Sequence, residues 1–412
     1  MIGLLIASLA WGAVTAWTVI QHSSAAHDVV TTSEPLSLSA QRMYLSLSDA
    51  DVTATTAFLA SPNQPLAERQ RYAADIAGAA ADLSSLRNAA AASANPQLTS
   101  SLAAVSAGLP VYTGYVAQAQ TERSLGYLLT SGSFMQVAAE EMHLTLLPAA
   151  RTIYAQENAA LAAASARASG LPWIAVVVLL AIVLGFVLFR VQRSLTRRTH
   201  RVVNYGLLVA SLVLVASVLW LVVAFVVARA DLQRGVGHGS APAETLAQAA
   251  IDTQQARGDE VLNLISRTGA TAFQQDSQSL RAKLGPGAGT LLTTSIAASP
   301  SGAGAQWATA AARDEQAWYA VDDQVYRLDK ASNYLAETQL VTRTTPGSSG
   351  AGFSRVENDL SRAIAADQVI FRSSATAGSN AFNGLDVGII VAAVIMAAGC
   401  AWGLARRIAE YR

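Results

Sequence analysis

Cysteine is almost absent from this chain of 412 residues, in which Cys400 is the only one. A single thiol cannot form a disulfide within the chain, so any domain outside the cytoplasm must be stabilised by packing alone. Charged residues are also few, at 14% of the chain, and the 28 basic side chains are balanced by 28 acidic ones. We therefore expect no nucleic-acid partner.

The motifs of the common enzyme classes are missing as well. The chain has no Walker loop, nucleophile elbow, dinucleotide fingerprint or protein-kinase motif. Its histidines are scattered and none has a cysteine at metal-ligand spacing; they are His22, His27, His143, His200 and His238. The prediction is a protein without catalytic residues, metal site or cofactor.

Long apolar runs are present instead. They are Ile2–Ile20, Leu171–Phe189, Gly206–Ala228 and Val387–Ala405, each at least 19 residues long and without a charged side chain. A helix of this length spans about 30 Å, the thickness of the hydrocarbon layer, so we predict four transmembrane helices. For the first run, small residues near Ser24 leave a cleaved signal peptide as an alternative, and a natural start further upstream is another.

The distribution of charge predicts the topology. The link between spans two and three contains five arginines and no acid, and the tail after span four contains three more. By the positive-inside rule the link, the tail and the N-terminus face the cytoplasm of a multi-pass plasma-membrane protein. The two long loops then lie outside, where residues 21–170 hold seven Arg against eleven acids and residues 230–384 hold twelve Lys and Arg against fifteen.

Apolar periodicity predicts that both loops are helical. In the first loop, steps of four and three connect Leu36, Ala40, Met43, Leu47, Ala50, Ala54 and Ala57. In the second loop, comparable stripes contain Trp318, Val321, Val325, Leu328 and Leu335, and then Phe353, Val356, Leu360 and Ala363. We interpret these stripes as bundle core rather than as ligand pockets.

Proline, glycine and serine clusters predict where the helices end. In the first loop they occur at residues 61–65, at Asn95–Pro96 and more weakly over Ser131–Ser133; in the second loop they occur at residues 285–287, 299–302 and 345–350. Each loop would then contain four helices. The first would continue out of the preceding span and the fourth into the following one.

The predicted fold is therefore all-α: an integral membrane protein with four transmembrane helices and two tandem extracytoplasmic four-helix up-down bundles, which arose by duplication of a two-span unit. The predicted segments are transmembrane helices at 1–21, 171–189, 206–229 and 386–405, bundles at 22–170 and 230–385, a basic cytoplasmic link at 190–205 and a cytoplasmic tail at 406–412. Whether the protein is a homodimer stays open.

Mixed charges on the predicted bundle helices are candidate contacts to a ligand or partner. The candidates are Arg69, Arg71, Tyr72, Glu122 and Arg123 in the first loop and Arg257, Asp259 and Glu260 in the second. The alternative is a solvated helix face with ion pairs. A cytoplasmic relay is the candidate role of Arg190, Arg193, Arg197, Arg198 and Arg201, although topology and attraction to anionic membrane lipid already explain these arginines.

Several segments resemble the actinobacterial GlnX family: SLSDADVTATTAFLA from Ser46, RQRYAADIAGAAADL from Arg69, LLPAARTIY from Leu146, RRTHRVVNYGLLVAS from Arg197 and ARGDEVLNLISR from Ala256. The resemblance implies a non-enzymatic membrane sensor. Such a sensor would couple an extracytoplasmic amino-acid-binding lipoprotein similar to GlnH to a cytosolic serine/threonine kinase similar to PknG, in response to aspartate or glutamate. The stretch from Thr121 departs from the family pattern.

Three other functions stay open. A chemoreceptor-like sensor would bind a small acidic ligand directly, with Arg69, Arg71 or Arg257 as the cationic contact. A structural scaffold would only tether envelope proteins. A transporter is the least favoured, because the spans contain no internal Asp, Glu, Lys or Arg.

Overall fold

The computed structural model describes residues 2–60, 66–91, 95–170, 172–199, 205–266, 278–284, 289–298 and 302–409. These residues form helices and short turns, with no strand among them. The helices are α1 (Ile2–Asp28), α2 (Glu34–Ala60), α3 (Leu66–Ala90), α4 (Pro96–Ser124), α5 (Leu128–Glu141), α6 (Leu147–Ala168), α7 (Pro172–Thr199), α8 (Tyr205–Gly235), α9 (Ala241–Ser266), α10 (278–284), α11 (Leu291–Ala298), α12 (Ala303–Lys330), α13 (Tyr334–Thr342), α14 (Ser349–Asn380) and α15 (Leu385–Ala409).

Three π-helical turns join consecutive helices. They are Val29–Ser33 between α1 and α2, Met142–Leu146 between α5 and α6, and Val236–Ser240 between α8 and α9. Helical backbone is therefore continuous from α1 into α2 and from α8 into α9, as predicted for the first helix of each loop. The similar position of the first and third turns fits the predicted duplication of a two-span unit.

The expectation that the last helix of each loop runs into the next span is wrong. Helix α6 ends at Ala168, and Ser169 and Gly170 are not helical; similarly, the turn over residues 381–384 separates α14 from α15. At the first of these breaks, Gly170 follows the helix end and Pro172 begins α7, which are the positions that these two residues favour at helix termini.

The chain forms two compact units. The first unit contains Met1–Thr31, Ala162–Gly235 and Arg372–Arg412, and it consists mainly of α1, α7, α8 and α15. Helix α15 packs against α1 and α8, and α7 also packs against both of these helices. Contacts are close because small residues line them: a Cβ added to Gly12 would overlap the side chain of Ala393, and one added to Gly399 would lie 2.9 Å from the carbonyl oxygen of Gly206.

Three helical stretches of the described residues are long and apolar enough to cross a membrane, namely Ile174–Arg193, Tyr205–Ile265 and Ser349–Trp402. They overlap the predicted spans two, three and four, and they are consistent with a multi-pass membrane protein. The predicted first span lies in α1 and is not among the three. Within α1, the hydroxyls of Thr15 and Thr18 each donate a hydrogen bond to a backbone carbonyl one turn earlier.

The second unit contains Thr32–Leu161 and Val236–Phe371, so it includes most of both loops. Helix α2 packs against α3 and α9, α4 against α5, α9 against α11, and α12 against α13. One hydrophobic core contains residues of both loops, among them Leu47, Tyr112 and Ile153 from the first and Trp318 and Leu360 from the second. The two loops therefore share a core in this unit, and their division into two separate bundles stays a prediction.

The predicted core stripes are largely buried. In α2 six of the seven stripe residues are at most 2% exposed, and Leu36 packs against the core from its edge. Phe353, Val356, Leu360 and Ala363 are all buried in α14. In α12, Trp318 and Val325 are buried, whereas Val321 and Leu328 are half-buried. Leu335 is 73% exposed, because a turn after Lys330 ends α12 and places this leucine in α13.

The helix boundaries correct one prediction and support another. Asn95 lies at the predicted break at Asn95–Pro96 and caps α4, accepting hydrogen bonds from the backbone N–H groups of Gln97 and Leu98. The predicted break over Ser131–Ser133 is wrong, because these residues lie inside α5. The chain turns earlier, at Gly126, whose φ of 87° suits glycine. The predicted breaks at 61–65 and 285–287 lie outside the described residues.

Candidate functional site

Arg257 is the centre of a buried polar network in the second unit. Only 2% of this residue is exposed. Its guanidinium Nη1 donates to Glu260 Oε2 at 2.6 Å and to Ser349 Oγ at 3.1 Å, and Nη2 donates to the carbonyl of Val341 at 2.9 Å. Ser349 also contacts Glu260 and accepts a hydrogen bond from the indole N–H of Trp318 at 2.8 Å. The network connects α9, α12, α13 and α14.

Arg71 joins the two loops from the first-loop side. It lies on α3, and its Nη2 contacts Asp49 of α2 at 3.0 Å and Glu357 of α14 at 2.7 Å. Burial, followed by the nearby charge of Asp49, raises the pKa of Glu357 to about 7, while the charge of Arg71 opposes this shift. One guanidinium is therefore shared by two carboxylates.

Arg71 and Arg257 line the same cleft, which we call the arginine cleft. Its lining comes from both loops and consists of Val52, Thr53, Thr56, Glu68, Arg71, Arg257, Thr342, Thr344, Gly350, Phe353 and Ser354. The cavity volume of the cleft is about 110 Å³, smaller than a typical site for a drug-sized ligand. Arg71 and Arg257, both predicted contact residues, are 186 positions apart in the chain. The fold brings them to one site.

Several buried polar atoms that belong to the lining residues have no hydrogen-bond partner among the described residues. They are Thr56 Oγ1, Glu68 Oε2 and Arg257 Nε. Burial raises the pKa of the Glu68 carboxyl. Buried polar groups are rarely left unsatisfied in proteins, so these atoms are candidates to contact a bound molecule or water.

A second polar network lies around Asp51, which is 3% exposed. His143 Nε2 lies 3.0 Å from Asp51 Oδ2, and the hydroxyl of Tyr112 donates to Asp51 Oδ1 at 3.3 Å. Burial lowers the pKa of His143, but the hydrogen bond to Asp51 and the charges of Asp51 and Asp259 outweigh burial, so the net shift is upward. Tyr72, a predicted contact residue, packs against Tyr112 with ring centroids 6.5 Å apart.

Asp259 and Glu260 also line a separate acidic cleft between α9, α12 and α13. Its other acids are Asp322, Asp323, Asp329 and Glu337. Arg281 is a cation of this lining, and it contacts Asp322 at 3.3 Å and Asp323 at 3.1 Å. Burial, followed by the charge of Glu260, raises the pKa of Asp322 to about 7. No group of three or more metal-ligating side chains is arranged to hold a metal ion among the described residues.

The other candidate contacts are not gathered at these clefts. Arg69 is exposed on α3. Arg123 lies 4.5 Å from the ring centroid of Phe58, and the backbone carbonyl of its neighbour Glu122 accepts a hydrogen bond from Tyr127 in the turn after α4.

The candidate relay arginines follow the apolar part of α7. Arg190 stacks over Phe186 at 5.3 Å, and Arg193 is exposed. Arg197 and Arg198 belong to the helical backbone of α7, but their side chains are not described. Arg201 lies outside the described residues.

Several residues of these networks were missed by sequence reasoning. Asp49, Asp51, His143, Ser349 and Glu357 have no motif spacing, because their partners are distant in the chain. The signal that was available is weak: Asp51 interrupts an otherwise apolar or small stripe on α2, and such an acid needs a partner when it is buried.

Residues 25–166 match the family model described as the actinobacterial sensor domain. The match includes α2 to α6 and therefore the first loop with Asp49, Glu68, Arg71 and His143. It supports an actinobacterial sensor protein. No curated protein and no solved structure matches the chain.

Proposed function

We propose that this chain is a non-enzymatic transmembrane signal transducer. It relays the availability of extracytoplasmic amino acids, aspartate or glutamate, through a binding-protein partner to a cytosolic serine/threonine kinase. The match of residues 25–166 to a sensor domain is the observation that carries the proposal. Three helices are long and apolar enough to cross a membrane, which supports a membrane-bound sensor.

The proposed topology has four spans, with both long loops outside the cell and the basic 190–205 link inside. A signal that begins at the loops must then pass through membrane helices. The continuous helical backbone from α1 into α2 and from α8 into α9 supplies two such routes. Small shifts of packed helices, of about 1–2 Å, are a known form of transmission in proteins.

The proposed partners follow from the resemblance to the GlnX family. A GlnH-like lipoprotein would bind the amino acid and contact the loops, and a PknG-like kinase would respond at the arginine-rich link or the tail. Both loops contain more acids than bases, so they would present a negative surface to the lipoprotein. The arginines of the link would present a positive surface to the kinase.

A direct ligand sensor is the second candidate, and a specific observation favours it. The arginine cleft combines two guanidinium groups, hydroxyls and unpartnered polar atoms within the unit that contains the sensor-domain match. A structural envelope scaffold would not need such a cleft.

The relay is tested by affinity capture of the tagged full-length protein from native membranes, with and without aspartate or glutamate. We expect an amino-acid-binding lipoprotein and a cytosolic kinase to co-purify in amounts that change with the amino acid. Kinase substrate phosphorylation in a deletion strain should change in parallel. Recovery of envelope proteins alone, unaffected by the amino acids and without altered phosphorylation, would contradict the relay and favour a scaffold.

A further inference from the structure

The carboxylates that line the arginine cleft or pair with its two arginines outnumber these arginines. The charge of Arg257 is neutralised by Glu260, and that of Arg71 is shared by Asp49 and Glu357. Glu68 adds a further carboxylate whose Oε2 has no partner among the described residues. An additional anion would therefore be repelled by the groups around the cleft, whereas a molecule without net charge would not.

The polar atoms of the lining residues that lack a hydrogen-bond partner indicate which chemical groups a ligand would need. Glu68 Oε2 is an acceptor, so it requires a donor such as an ammonium group. Arg257 Nε is a donor, and the Thr56 hydroxyl can also donate, so these two atoms suit a carboxylate. Arg257 is almost fully buried, so solvent cannot accept a hydrogen bond from its unpaired Nε–H group.

We propose that the arginine cleft binds a small zwitterion without net charge, namely an α-amino acid with an uncharged side chain. Glu68 accepts the hydrogen bonds of its ammonium group, and Thr56 and Arg257 donate to its carboxylate. Val52 and the ring of Phe353 supply the apolar part of the lining. The site goes beyond the proposed relay of aspartate or glutamate, because it places a neutral amino acid on this chain itself.

The charge balance separates this ligand class from the acidic amino acids. L-Glutamine and L-glutamate have similar size, but L-glutamate carries an additional negative charge at neutral pH. Since the carboxylates in and beside the cleft outnumber its two arginines, L-glutamine is the better ligand of the two. The expected difference in affinity is at least tenfold.

The test is isothermal titration calorimetry on the full-length protein in lipid nanodiscs. The probes are L-glutamine, L-alanine and L-serine, with L-glutamate as the charged comparison. Butylamine and butyrate each carry only one of the two charged groups. We expect saturable binding of at least one neutral amino acid and no binding of butylamine or butyrate.

Two variants test the assigned contacts. Glu68→Gln and Thr56→Val should each weaken the binding of the neutral amino acid at least tenfold. Glu140→Gln is the matched control because Glu140 is exposed on α5 and does not line the cleft. Thermal unfolding of each variant shows whether the fold is retained; Glu68 forms no hydrogen bond or ion pair within the described residues, so Glu68→Gln should fold normally.

Absence of binding by all three neutral amino acids would overturn the proposal, as would full affinity in folded Glu68→Gln. Tighter binding of L-glutamate than of L-glutamine would overturn the charge argument and the ligand class with it. These outcomes are independent of the relay. A protein that captures a lipoprotein and a kinase but binds no amino acid leaves the proposed relay standing and removes only the cleft site.

Discussion

At the scale of single residues, Arg257 shows how a buried charge is accommodated in the second unit. The Arg257 side chain is 2% exposed. Glu260, Ser349 and the carbonyl of Val341 supply its hydrogen-bond acceptors, and its guanidinium carbon lies 5.7 Å from the centroid of the Phe353 ring. The charge is therefore paired and hydrogen-bonded, as burial requires.

Replacement of this side chain by methionine should strongly destabilise the protein. Arg257→Met leaves the Glu260 carboxylate buried without its cation, a change that typically costs about 3–5 kcal/mol. Thermal unfolding in nanodiscs measures the effect. Arg313→Met is the control, because the Arg313 side chain is 75% exposed and its pair with Asp314 should contribute at most about 1 kcal/mol. Equal melting temperatures for the two variants would contradict the importance of the buried pair.

At the scale of elements, the π-helical turn Val236–Ser240 lies in close contact with α14. Gly239 lies in this turn, and a Cβ added to it would lie 2.6 Å from the backbone nitrogen of Phe371 on α14. Backbone atoms cannot move aside as a flexible side chain can. Only glycine is therefore compatible with this approach of the turn to α14.

Gly239→Ala should accordingly destabilise the second unit by about 1–3 kcal/mol through overpacking. Gly237→Ala, two residues earlier in the same turn, has no atom within 4 Å of the added Cβ and should be neutral or slightly stabilising. Hydrogen exchange of α9 and α14, together with thermal unfolding, distinguishes the two variants. Equal protection in both would show that the contact of the turn with α14 is loose.

Helix boundaries show why local sequence predicts some elements and not others. The α2 stripe and the Asn95 cap depend on residues within a few turns of one helix, and both agree with the sequence pattern. The predicted helix break at Ser131 and Ser133 is wrong. Their hydroxyls donate to the carbonyls of Leu128 and Leu129, so both hydroxyls are hydrogen-bonded within α5.

At the scale of the whole molecule, the charge distribution predicts the orientation in the membrane. Leu129 is 91% exposed in the first loop, and Arg193 is exposed after the apolar part of α7. If both long loops are outside the cell, these two positions lie on opposite sides of the membrane.

Cysteine labelling in intact cells tests this orientation. In a Cys400→Ala background, Leu129→Cys should react with a membrane-impermeant maleimide, whereas Arg193→Cys should react only after the cells are permeabilised. The background variant without an added cysteine is the control for unspecific labelling. Reaction of Arg193→Cys in intact cells would contradict the predicted topology.

The sequence by itself determined the helical class, the three helices that are apolar enough to span a membrane and the buried stripes of α2 and α14, because these depend on apolar runs and on periodicity within one helix. Only the tertiary structure decided that both loops share a core and that Arg71 and Arg257 line one cleft. Arg71 meets Glu357 across 286 positions of the chain. Such a contact depends on how whole helices pack against each other, and no local pattern of residues encodes it.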